Sequence, residues 1–363
     1  MGIVSDCDGP GAIVTRRAHL VMTLALLLAA LASLASYRIY SIWMQPLALP
    51  QGEAILTVPP GQSLRAVLTD AEKNEWIQGA RILGWLAGAL ELDQLIKAGE
   101  YQLATGITAG KMIQVMAEGR VIQYRVTLPE GITFREALNV IRAHPKITRT
   151  PDPALERALV DLTGRSASLE GLFLPETWSF SAGDSELTIL RRAHHALSAL
   201  LESLWAAHGS ESVLPNAYAA LTLASIVEKE TGVAAERPQI AAVFLRRLRE
   251  GMRLQTDPTV IYGLSDEYDG NLKRSHLRDT RNPYNTYIIE GLPPSPIALP
   301  GAAAIRAVFE PADTEALYFV AKGDGSHAFS ATLSEHQANV RRFQIERRAD
   351  YRSSPNPPSG GGE

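Results

Sequence analysis

The 363-residue sequence contains a single cysteine, Cys7, which excludes an intramolecular disulfide and a cysteine-based zinc site. Its eight histidines are scattered without metal-ligand spacing, and there is no glycine-rich phosphate-binding loop, so neither a metal nor a nucleotide cofactor is predicted. The net charge of -4 offers no basic surface for nucleic acid. A hydrophobic content of 46% with 20% charged residues predicts a globular protein with a substantial core.

One segment lacks charge altogether. Between Ala18 and Tyr37 there is no Asp, Glu, Lys or Arg, and this run of about 20 residues matches the length of a helix that crosses a bilayer core. A pair of arginines precedes the run and aromatic residues follow it, which predicts a cytoplasmic N-terminus at 1–17 and a spanning helix at 18–37. The chain is therefore predicted to be a single-pass protein of the cytoplasmic (inner) membrane with its other domains outside the cytoplasm. A cleaved signal peptide is the alternative, since small residues lie near the end of the run.

The part of the chain beyond the membrane segment mixes helix and strand patterns, which predicts the α+β fold class. A shorter region, 54–120, is predicted to hold two strands and three helices, with Ser63 and Thr108 as helix N-caps and one helix at 80–96. Since the membrane segment has no place in that pattern, a chain without residues 1–44 is expected to fold normally.

The longer region, 121–350, is predicted to be a larger mixed domain dominated by helices. Predicted helices lie near 134–143, 154–162, 185–207, 217–231, 238–250 and 332–348. Short strands are predicted near 259–262 and 316–321, with a hairpin turn at Gly323-Asp324-Gly325. Residues 351–363 are predicted to be a disordered tail because they are rich in Pro, Ser and Gly.

Among the predicted helices, the one at 217–231 carries the strongest chemical signal. At about 100° per residue, Leu223 and Ile226 share a face with Glu230. A carboxyl group held against apolar neighbours loses hydration, which raises its pKa and prepares it to donate a proton. Glu228 points to a nearly opposite, more polar side, so it is expected to ionise normally and to have a structural role. The alternative for Glu230 is a solvated position at the helix end, where the helix dipole disfavours a negative charge.

Several motifs follow one another in a fixed order along the chain. They lie at 170–178, 224–231, 235–237, 243–248, 251–263, 284–287, 291–294, 300–301 and 317–320. Together they resemble the endolytic murein transglycosylase (YceG-like) family, and the resemblance extends from the membrane segment to about residue 345.

The resemblance implies one N-terminal membrane helix, a small LysM-like module at 54–120 and an extracytoplasmic (periplasmic) lytic transglycosylase domain at 121–350. The second glutamate of the family's Glu-Lys-Glu motif is catalytic and corresponds to Glu230. The implied reaction cleaves the bond between N-acetylmuramic acid and N-acetylglucosamine within peptidoglycan glycan strands. It leaves 1,6-anhydro-muramic ends and terminates the elongation of nascent strands. Glycan strands and the cytoplasmic membrane are the implied partners, with cell-wall synthesis proteins as further candidates.

A sugar-binding groove is predicted around Glu230. Gln255, Tyr284 and Asn285 offer amide groups and an aromatic face, so they are predicted to bind substrate, although turn and core roles remain open for these segments. A lytic transglycosylase needs one carboxyl group, whereas a hydrolase acting on the same strands needs a second one to activate water. The candidates for a second carboxyl are Glu170, Glu176, Glu228 and Asp257. A membrane-anchored peptidoglycan hydrolase and a non-enzymatic peptidoglycan-binding scaffold therefore remain alternatives.

Overall fold

The computed structural model of the protein describes residues 10–50 and 54–346. The predicted disordered tail and most of the predicted cytoplasmic N-terminus lie outside the described residues. Within them, the chain forms two compact units, and both mix helices with short strands, so the predicted α+β class is confirmed.

The first unit comprises residues 1–123 with 181–183 and begins with a long helix, α1 (Pro10–Met44). Among the described residues, its segment Ala18–Met44 is the one helix long and apolar enough to cross a membrane, with a mean hydropathy of 2.2, and its side chains from Ala18 to Arg38 are all exposed. This helix fits the predicted single-pass anchor, but it continues for about two turns beyond the predicted end at residue 37.

The rest of the first unit is an arrangement of two strands and three helices. In chain order these are β1 (Ala54–Val58), α2 (Leu64–Lys73), α3 (Ala80–Ala89), β2 (Gly99–Leu103) and α4 (Ala109–Ala117). The two strands pair antiparallel, with Ala54 opposite Leu103. Both predicted N-caps are confirmed, because the hydroxyl of Ser63 accepts a backbone hydrogen bond at the start of α2 and the hydroxyl of Thr108 does so at the start of α4.

Helix α3 is shorter than the predicted helix at 80–96. The chain turns at Glu91, whose φ of 57° lies in the left-handed region. The Leu92 N–H donates to the carbonyl of Ala87, and the Glu91 N–H donates to the carbonyl of Gly88. This is a Schellman-type helix end, which satisfies the last carbonyls and stops the helix even though apolar residues continue to residue 96.

The last turn of α1 belongs to the core of the first unit. Ile42 and Trp43 pack against its buried cluster, and a Cβ atom at Gly110 of α4 would overlap the Trp43 indole. The Gln45 side chain exchanges two hydrogen bonds with the backbone of Gln78, at 2.7 and 3.1 Å. Residues 1–44 therefore do contribute to the later core at their end, and folding of a chain without them stays a prediction.

The second unit comprises residues 124–180 and 184–363, and its elements occur in the following order. They are β3 (Gln123–Thr127), which begins at the unit boundary, α5 (Phe134–Arg142), α6 (Asp152–Thr163), β4 (Thr177–Ser181), α7 (Glu186–His208), α8 (Ala217–Glu230), α9 (Arg237–Arg249), α10 (Asp257–Leu264), α11 (Arg274–Leu277), α12 (Ala302–Phe309), β5 (Tyr318–Ala321), β6 (His327–Ser330) and α13 (Leu333–Val340). Strands β3 and β4 form one two-stranded sheet, and β5 and β6 form another.

Helix α8 is the centre of the second unit. It contacts α7, α9, α10 and α12, and its residues 220–227 are all buried. The predicted division of this helix into an apolar and a polar side is therefore wrong, because packed helices cover both sides. Ser225, predicted on the polar side, is buried, and its hydroxyl accepts a hydrogen bond from the Ile297 N–H at 3.0 Å.

The predicted strand at 259–262 is wrong, because these residues form helix α10. Thr256 has extended backbone angles, and Asp257 and Pro258 occupy the first turn. A carboxylate and a proline are both favourable there, since the first turn has free N–H groups and needs no N–H from proline. The run Val260-Ile261-Tyr262 has strand-like composition, but packing against α8 and the helix-starting residues override that preference. The strand predicted near 316–321 and the hairpin turn after it are confirmed by β5 and β6, which pair antiparallel.

The substitution Trp43→Ala tests the role of the α1 end. It is expected to lower the stability of the first unit by about 2 kcal/mol, because it removes a partly buried indole from a packed core. Thermal unfolding of the detergent-solubilised chain is the measurement, and Tyr40→Ala, at a side chain that is 62% exposed, is the matched control. Equal melting temperatures for the two variants would show that Trp43 contributes nothing to this core.

Candidate active site

Glu230 is the last residue of α8. The side chain of Asn216 caps the start of this helix by accepting a hydrogen bond from the Ala219 N–H at 2.9 Å. Because residues 220–227 are buried, the helix holds Glu230 at the point where it leaves the core. The hydroxyl of the buried Thr256 donates a hydrogen bond to Oε2 of Glu230 at 2.7 Å.

The surroundings of Glu230 favour its neutral form. Burial raises the pKa of its carboxyl group above the ordinary value, and the neighbouring Asp257 adds to this rise. The Thr256 hydroxyl opposes the rise because it stabilises the carboxylate, and the nearby His327 and Arg247 act in the same direction. The net effect is a carboxyl group that is easier to protonate than an exposed glutamate, which is what a general acid requires.

A cluster of three buried threonines positions the Thr256 hydroxyl. The Thr256 N–H donates to Oγ1 of Thr286 at 3.0 Å, and Thr259 Oγ1 donates to the Thr256 carbonyl at 2.8 Å. The hydroxyls of Thr259 and Thr286 are themselves 2.9 Å apart. Since the backbone of Thr256 is held on both sides, its side chain has a fixed direction towards Glu230.

Gln255, one of the predicted substrate-binding residues, directly precedes Thr256. It is exposed, and its φ of 52° lies in the left-handed region, which is costly for a residue with a side chain. Its N–H is held by the carbonyl of Thr286 at 3.1 Å. The structure thus places the exposed Gln255 directly before Thr256, the hydrogen-bond partner of Glu230, and substrate binding by Gln255 stays a prediction.

Arg247 of α9 is a buried cation near Glu230. It is 7% exposed, donating from Nε to the Leu317 carbonyl at 2.7 Å and from Nη1 to the Leu254 carbonyl at 2.6 Å. It forms no ion pair with a carboxylate among the described residues, and burial lowers the pKa of its guanidinium. Its charge is stabilised by these two carbonyls, by the ring of Tyr318 at 5.5 Å and by electrostatic interaction with Glu230.

Sequence inspection missed Arg247, although a signal for it exists. Three apolar residues precede it at helical spacing on one face of α9: Ile240, Val243 and Phe244. An arginine that continues an apolar stripe is placed towards the core by the period of the helix.

His327 at the start of β6 is paired with Glu236. Its Nδ1 lies 2.8 Å from Oε2 of Glu236, and its backbone N–H donates to Oε1 of the same carboxylate at 2.9 Å. Thr231, which directly follows Glu230, also donates to this carboxylate, at 3.3 Å. The pair therefore ties the β5–β6 hairpin to the segment that leaves the active-site helix.

Glu228 occupies a different environment from Glu230. Its side chain is 6% exposed, and it accepts hydrogen bonds from Arg237 Nη2 and from the Gly301 N–H, both at 3.0 Å. These contacts agree with the expected structural role. The expected ordinary ionisation is wrong, however, because burial raises the pKa of Glu228 despite both partners.

Tyr284 is not found among the contacts of Glu230. Its hydroxyl lies 2.7 Å from Oγ of Ser295, and its ring centroid lies 4.9 Å from that of Tyr262 near the far end of α10. Tyr284 and Tyr262 line a cavity of about 590 Å³ together with Glu170. Substrate binding by Tyr284 stays a prediction, and it concerns this cavity.

Asn285 is fully buried. Its Nδ2 donates to the carbonyls of His276 and Asp279 at 3.1 and 2.9 Å, and its Oδ1 accepts from the Tyr287 N–H at 3.1 Å. These bonds hold a loop together and leave no face of the amide exposed to a ligand. The predicted substrate-binding role of Asn285 therefore has no support from its position.

Glu170 is a second carboxyl group held away from water. It is 7% exposed, and it accepts hydrogen bonds from the Phe134 N–H at 2.8 Å and from the Tyr262 hydroxyl at 3.2 Å. Burial raises the pKa of Glu170 to about 7. Thr256 lies just before the start of α10 and Tyr262 near its end, so Glu230 and Glu170 interact with opposite ends of one helix.

The sequence matches the YceG-like family over residues 56–342. The chain belongs to the YceG-like family. The match covers most of both units, and it contains every predicted site residue from Glu230 to Asn285.

Relatives of this YceG-like chain come from several bacteria. It is 29% identical over 307 residues to the endolytic murein transglycosylase of Bacillus subtilis (strain 168), covering 79% of this chain and 84% of that protein. It is 25% identical over 319 residues to the endolytic murein transglycosylase of Streptococcus pneumoniae serotype 2 (strain D39), and it spans 57% of that longer protein. The crystal structure of a YceG-like protein from Listeria monocytogenes is similar with a TM-score of 0.51 and 28% identity, covering 80% of this chain and 99% of that one.

The buried Glu170 of this YceG-like protein predicts a dependence of stability on pH. Its folded-state pKa of about 7 exceeds the ordinary value of 4.5, so the stability associated with its neutral form is present below about pH 4.5 and is lost as the pH rises through 7. Glu170→Gln keeps the shape without the charge. The free energy of unfolding of the variant, relative to that of wild type, is therefore expected to rise by about 3 kcal/mol between pH 4.5 and pH 8.

Urea unfolding of both proteins at the two pH values measures this difference. Glu176→Gln, at an exposed carboxyl group in the same segment, is the control. A constant difference in stability between wild type and Glu170→Gln across this range would contradict the raised pKa.

Proposed function

We propose that this chain, a peptidoglycan lytic transglycosylase of the YceG-like family, uses Glu230 as its single acid and base. The observation that carries this proposal is a half-buried carboxyl group at the end of a buried helix, with one oxygen held by the Thr256 hydroxyl. Two relatives named endolytic murein transglycosylase support peptidoglycan as the substrate. The proposed bond is that between N-acetylmuramic acid and N-acetylglucosamine within a strand.

The two oxygens of Glu230 have different roles in the proposed mechanism. Oε2 accepts the Thr256 hydrogen bond, whereas Oε1 forms no hydrogen bond within the described part of the chain. Since a hydroxyl already donates to Oε2, the proton of the neutral acid is carried on Oε1. From there it passes to the glycosidic oxygen, and the leaving sugar departs with that oxygen as a hydroxyl group.

The second half of the reaction uses the carboxylate that remains. It takes the proton of the 6-hydroxyl of N-acetylmuramic acid, and the freed oxygen bonds to the anomeric carbon. The product is a 1,6-anhydro sugar, no water is consumed, and Glu230 is again protonated. The Thr256 hydroxyl and the positive charge of Arg247 stabilise the carboxylate between the two steps, while burial favours its return to the neutral form.

A hydrolase acting on the same strands is the second candidate. It would need another carboxyl group close to Glu230 to activate water or to act as the nucleophile. Glu228 is engaged by Arg237 and Gly301, and Glu170 interacts with the far end of α10. Asp257 is the candidate whose charge acts on Glu230, and its Oδ1 accepts a hydrogen bond from Tyr287 at 2.7 Å. The hydrolase alternative therefore rests on Asp257.

The substitution Glu230→Gln tests the assignment directly. It preserves shape but removes the transferable proton, so turnover of purified glycan strands is expected to fall by a factor on the order of 10² or more. The matched control is Glu228→Gln, which is expected to lose less activity and only in proportion to its loss of thermal stability. A folded but inactive Glu228→Gln variant beside an active Glu230→Gln variant would reverse the assignment.

Mass spectrometry of the released fragments belongs to the same experiment. Anhydro ends lack the mass of one water molecule compared with the product of a hydrolase, so the two candidate reactions are separated by product mass. Activity of the wild type that is lost in Glu230→Gln would also exclude a purely non-enzymatic scaffold. In cells, longer glycan strands in the Glu230→Gln background would support the proposed termination of nascent strands.

The Thr256 hydroxyl is expected to set the upper pH limit of activity. It stabilises the carboxylate form of Glu230, so Thr256→Val should raise the pKa of Glu230 further. Because the acid must be protonated at the start of the reaction, the alkaline limb of the kcat/KM profile should move to higher pH. Thr256→Ser keeps a hydroxyl group and should retain the wild-type profile. An unshifted profile in a stable Thr256→Val variant would mean that this hydrogen bond does not act on catalysis.

The location of the enzyme is part of the proposal. The apolar exposed segment Ala18–Met44 supports a single-pass anchor in the cytoplasmic membrane, with both units outside the cytoplasm. The first unit after α1 is proposed to bind glycan as a LysM-like module, and retention of the protein on purified sacculi measures this binding. Cell-wall synthesis proteins remain proposed partners.

A further inference from the structure

Helix α3 of the first unit is apolar on every side. Its sequence, Ala-Arg-Ile-Leu-Gly-Trp-Leu-Ala-Gly-Ala, contains Arg81 as its one polar residue. Its inner face, with Ala80, Leu83 and Ala87, is buried in the core of the unit. A helix that is apolar all round is expected to be enclosed by protein or lipid rather than exposed to water.

The outer face of α3 is nevertheless exposed. Ile82, Trp85 and Ala89 share this face at helical spacing, and the side chain of Trp85 is 65% exposed. Helix α2 of the same unit is different. Its exposed positions carry the polar residues Arg65, Thr69, Asp70, Glu72 and Lys73. The exposed apolar face of α3 thus has no counterpart on α2, and exposed apolar surfaces mark contact sites.

The position of α3 relative to α1 limits what can cover this face. The chain enters α3 at Gly79, where an added Cβ atom would lie 3.2 Å from the Ile42 side chain of α1. At 1.5 Å per residue, Ile42 lies about 8 Å beyond Tyr37, the last residue of the predicted bilayer-core segment. The headgroup region on each side of a bilayer core is about 5 to 8 Å thick. The start of α3 is thus held at the level of the lipid headgroups.

Charged groups beside α3 fit the same location. Arg65 and Arg81 line a cavity of about 370 Å³ at the side of the helix, together with Glu72, whose Oε1 already accepts hydrogen bonds from the N–H groups of Gly79 and Ala80 at 2.7 and 3.0 Å. Neither arginine has an ion-pair partner within residues 10–50 and 54–346. Arginine guanidinium groups bind phosphate well, and tryptophan is enriched at the membrane interface, so this combination matches the groups that a bilayer surface presents.

We propose that the outer face of α3 lies in the headgroup region of the membrane, so that the first unit docks on the lipid surface through Ile82 and Trp85. The proposal rests on the membrane anchoring of α1 put forward above. It gives the first unit a fixed orientation relative to the bilayer, since the end of α1 is packed in the same core.

Environment-sensitive fluorescence of the full chain tests the proposal. In a Cys7→Ser background, a nitrobenzoxadiazole probe is attached to a single cysteine at Ile82→Cys, and the protein is reconstituted in vesicles of phosphatidylethanolamine and phosphatidylglycerol. Leu27→Cys reports on the α1 span, because it lies in the middle of the apolar segment. Thr57→Cys on the exposed side of β1 is the control in the first unit. Strand β1 leads to the start of α2, whereas α1 contacts Gly79, which follows the end of α2. Thr57 and the contact with α1 therefore lie towards opposite ends of α2.

Docking predicts blue-shifted emission at position 82 and loss of most of that emission when the vesicles contain lipid with a nitroxide quencher near the headgroup. The probe at position 57 should remain water-like and unquenched. If position 27 is in the hydrocarbon while position 82 is water-like, docking is wrong and the anchor stands. If position 27 is also water-like, the anchor itself fails and docking fails with it.

Two further measurements are needed. The first distinguishes lipid binding from glycan binding, and the second tests whether the α3 face itself makes the contact. A response of position 82 to purified sacculi in detergent, with none to vesicles, would show that this face binds glycan and would overturn the proposal. Trp85→Glu should abolish the quenching at position 82 and leave position 27 unchanged, because it places a charge on the docked face only. Lys73→Gln, at an exposed side chain of α2 outside the cavity beside α3, is the matched control and should leave both probes unchanged. Quenching at position 82 that survives Trp85→Glu would also contradict docking through this face.

Discussion

The burial of residues 220–227 of helix α8 is the constraint on which the larger unit depends. Four helices enclose its residues 220–227, so the two carboxyl groups that follow emerge directly from the core. A carboxyl group in such a place must be hydrogen-bonded or remain neutral. Glu228 is satisfied by a guanidinium group and a backbone N–H, whereas within the described residues Glu230 accepts one hydrogen bond, from a hydroxyl. Because the two carboxyl groups have different hydrogen-bond donors, two glutamates only two positions apart have different chemistry.

The environment of Glu230 is assembled from segments that are distant in the chain. Thr256 precedes α10, Arg247 comes from the buried face of α9, and His327 comes from the β5–β6 hairpin. Each of these contributions is held by backbone contacts of its own, such as the two carbonyls that accept from Arg247. The carboxyl group can therefore change its charge without a rearrangement of its neighbours, which is the advantage of a preorganised site.

The first unit follows a different principle, because its core is continuous with the apolar helix that precedes it. Trp43 fills the space that Gly110 leaves open, and Gln45 closes the junction with hydrogen bonds to Gln78. A helix joined in this way fixes the orientation of the unit relative to itself, which a flexible linker would not do. The proposed docking of α3 on the lipid surface depends on this junction.

Local patterns in the sequence determined the features that depend on near neighbours. The apolar run of α1, the caps at Ser63 and Thr108, the β5–β6 hairpin and the position of Glu230 on its helix all follow from residues within a few positions. The motif order was also sufficient to recognise the family. Tertiary structure alone decided the partners of each carboxyl group, the helical state of 257–264 and the burial of Asn285. These features depend on contacts between segments far apart in the chain, and the periodicity of one segment carries no information about which other segment will pack against it.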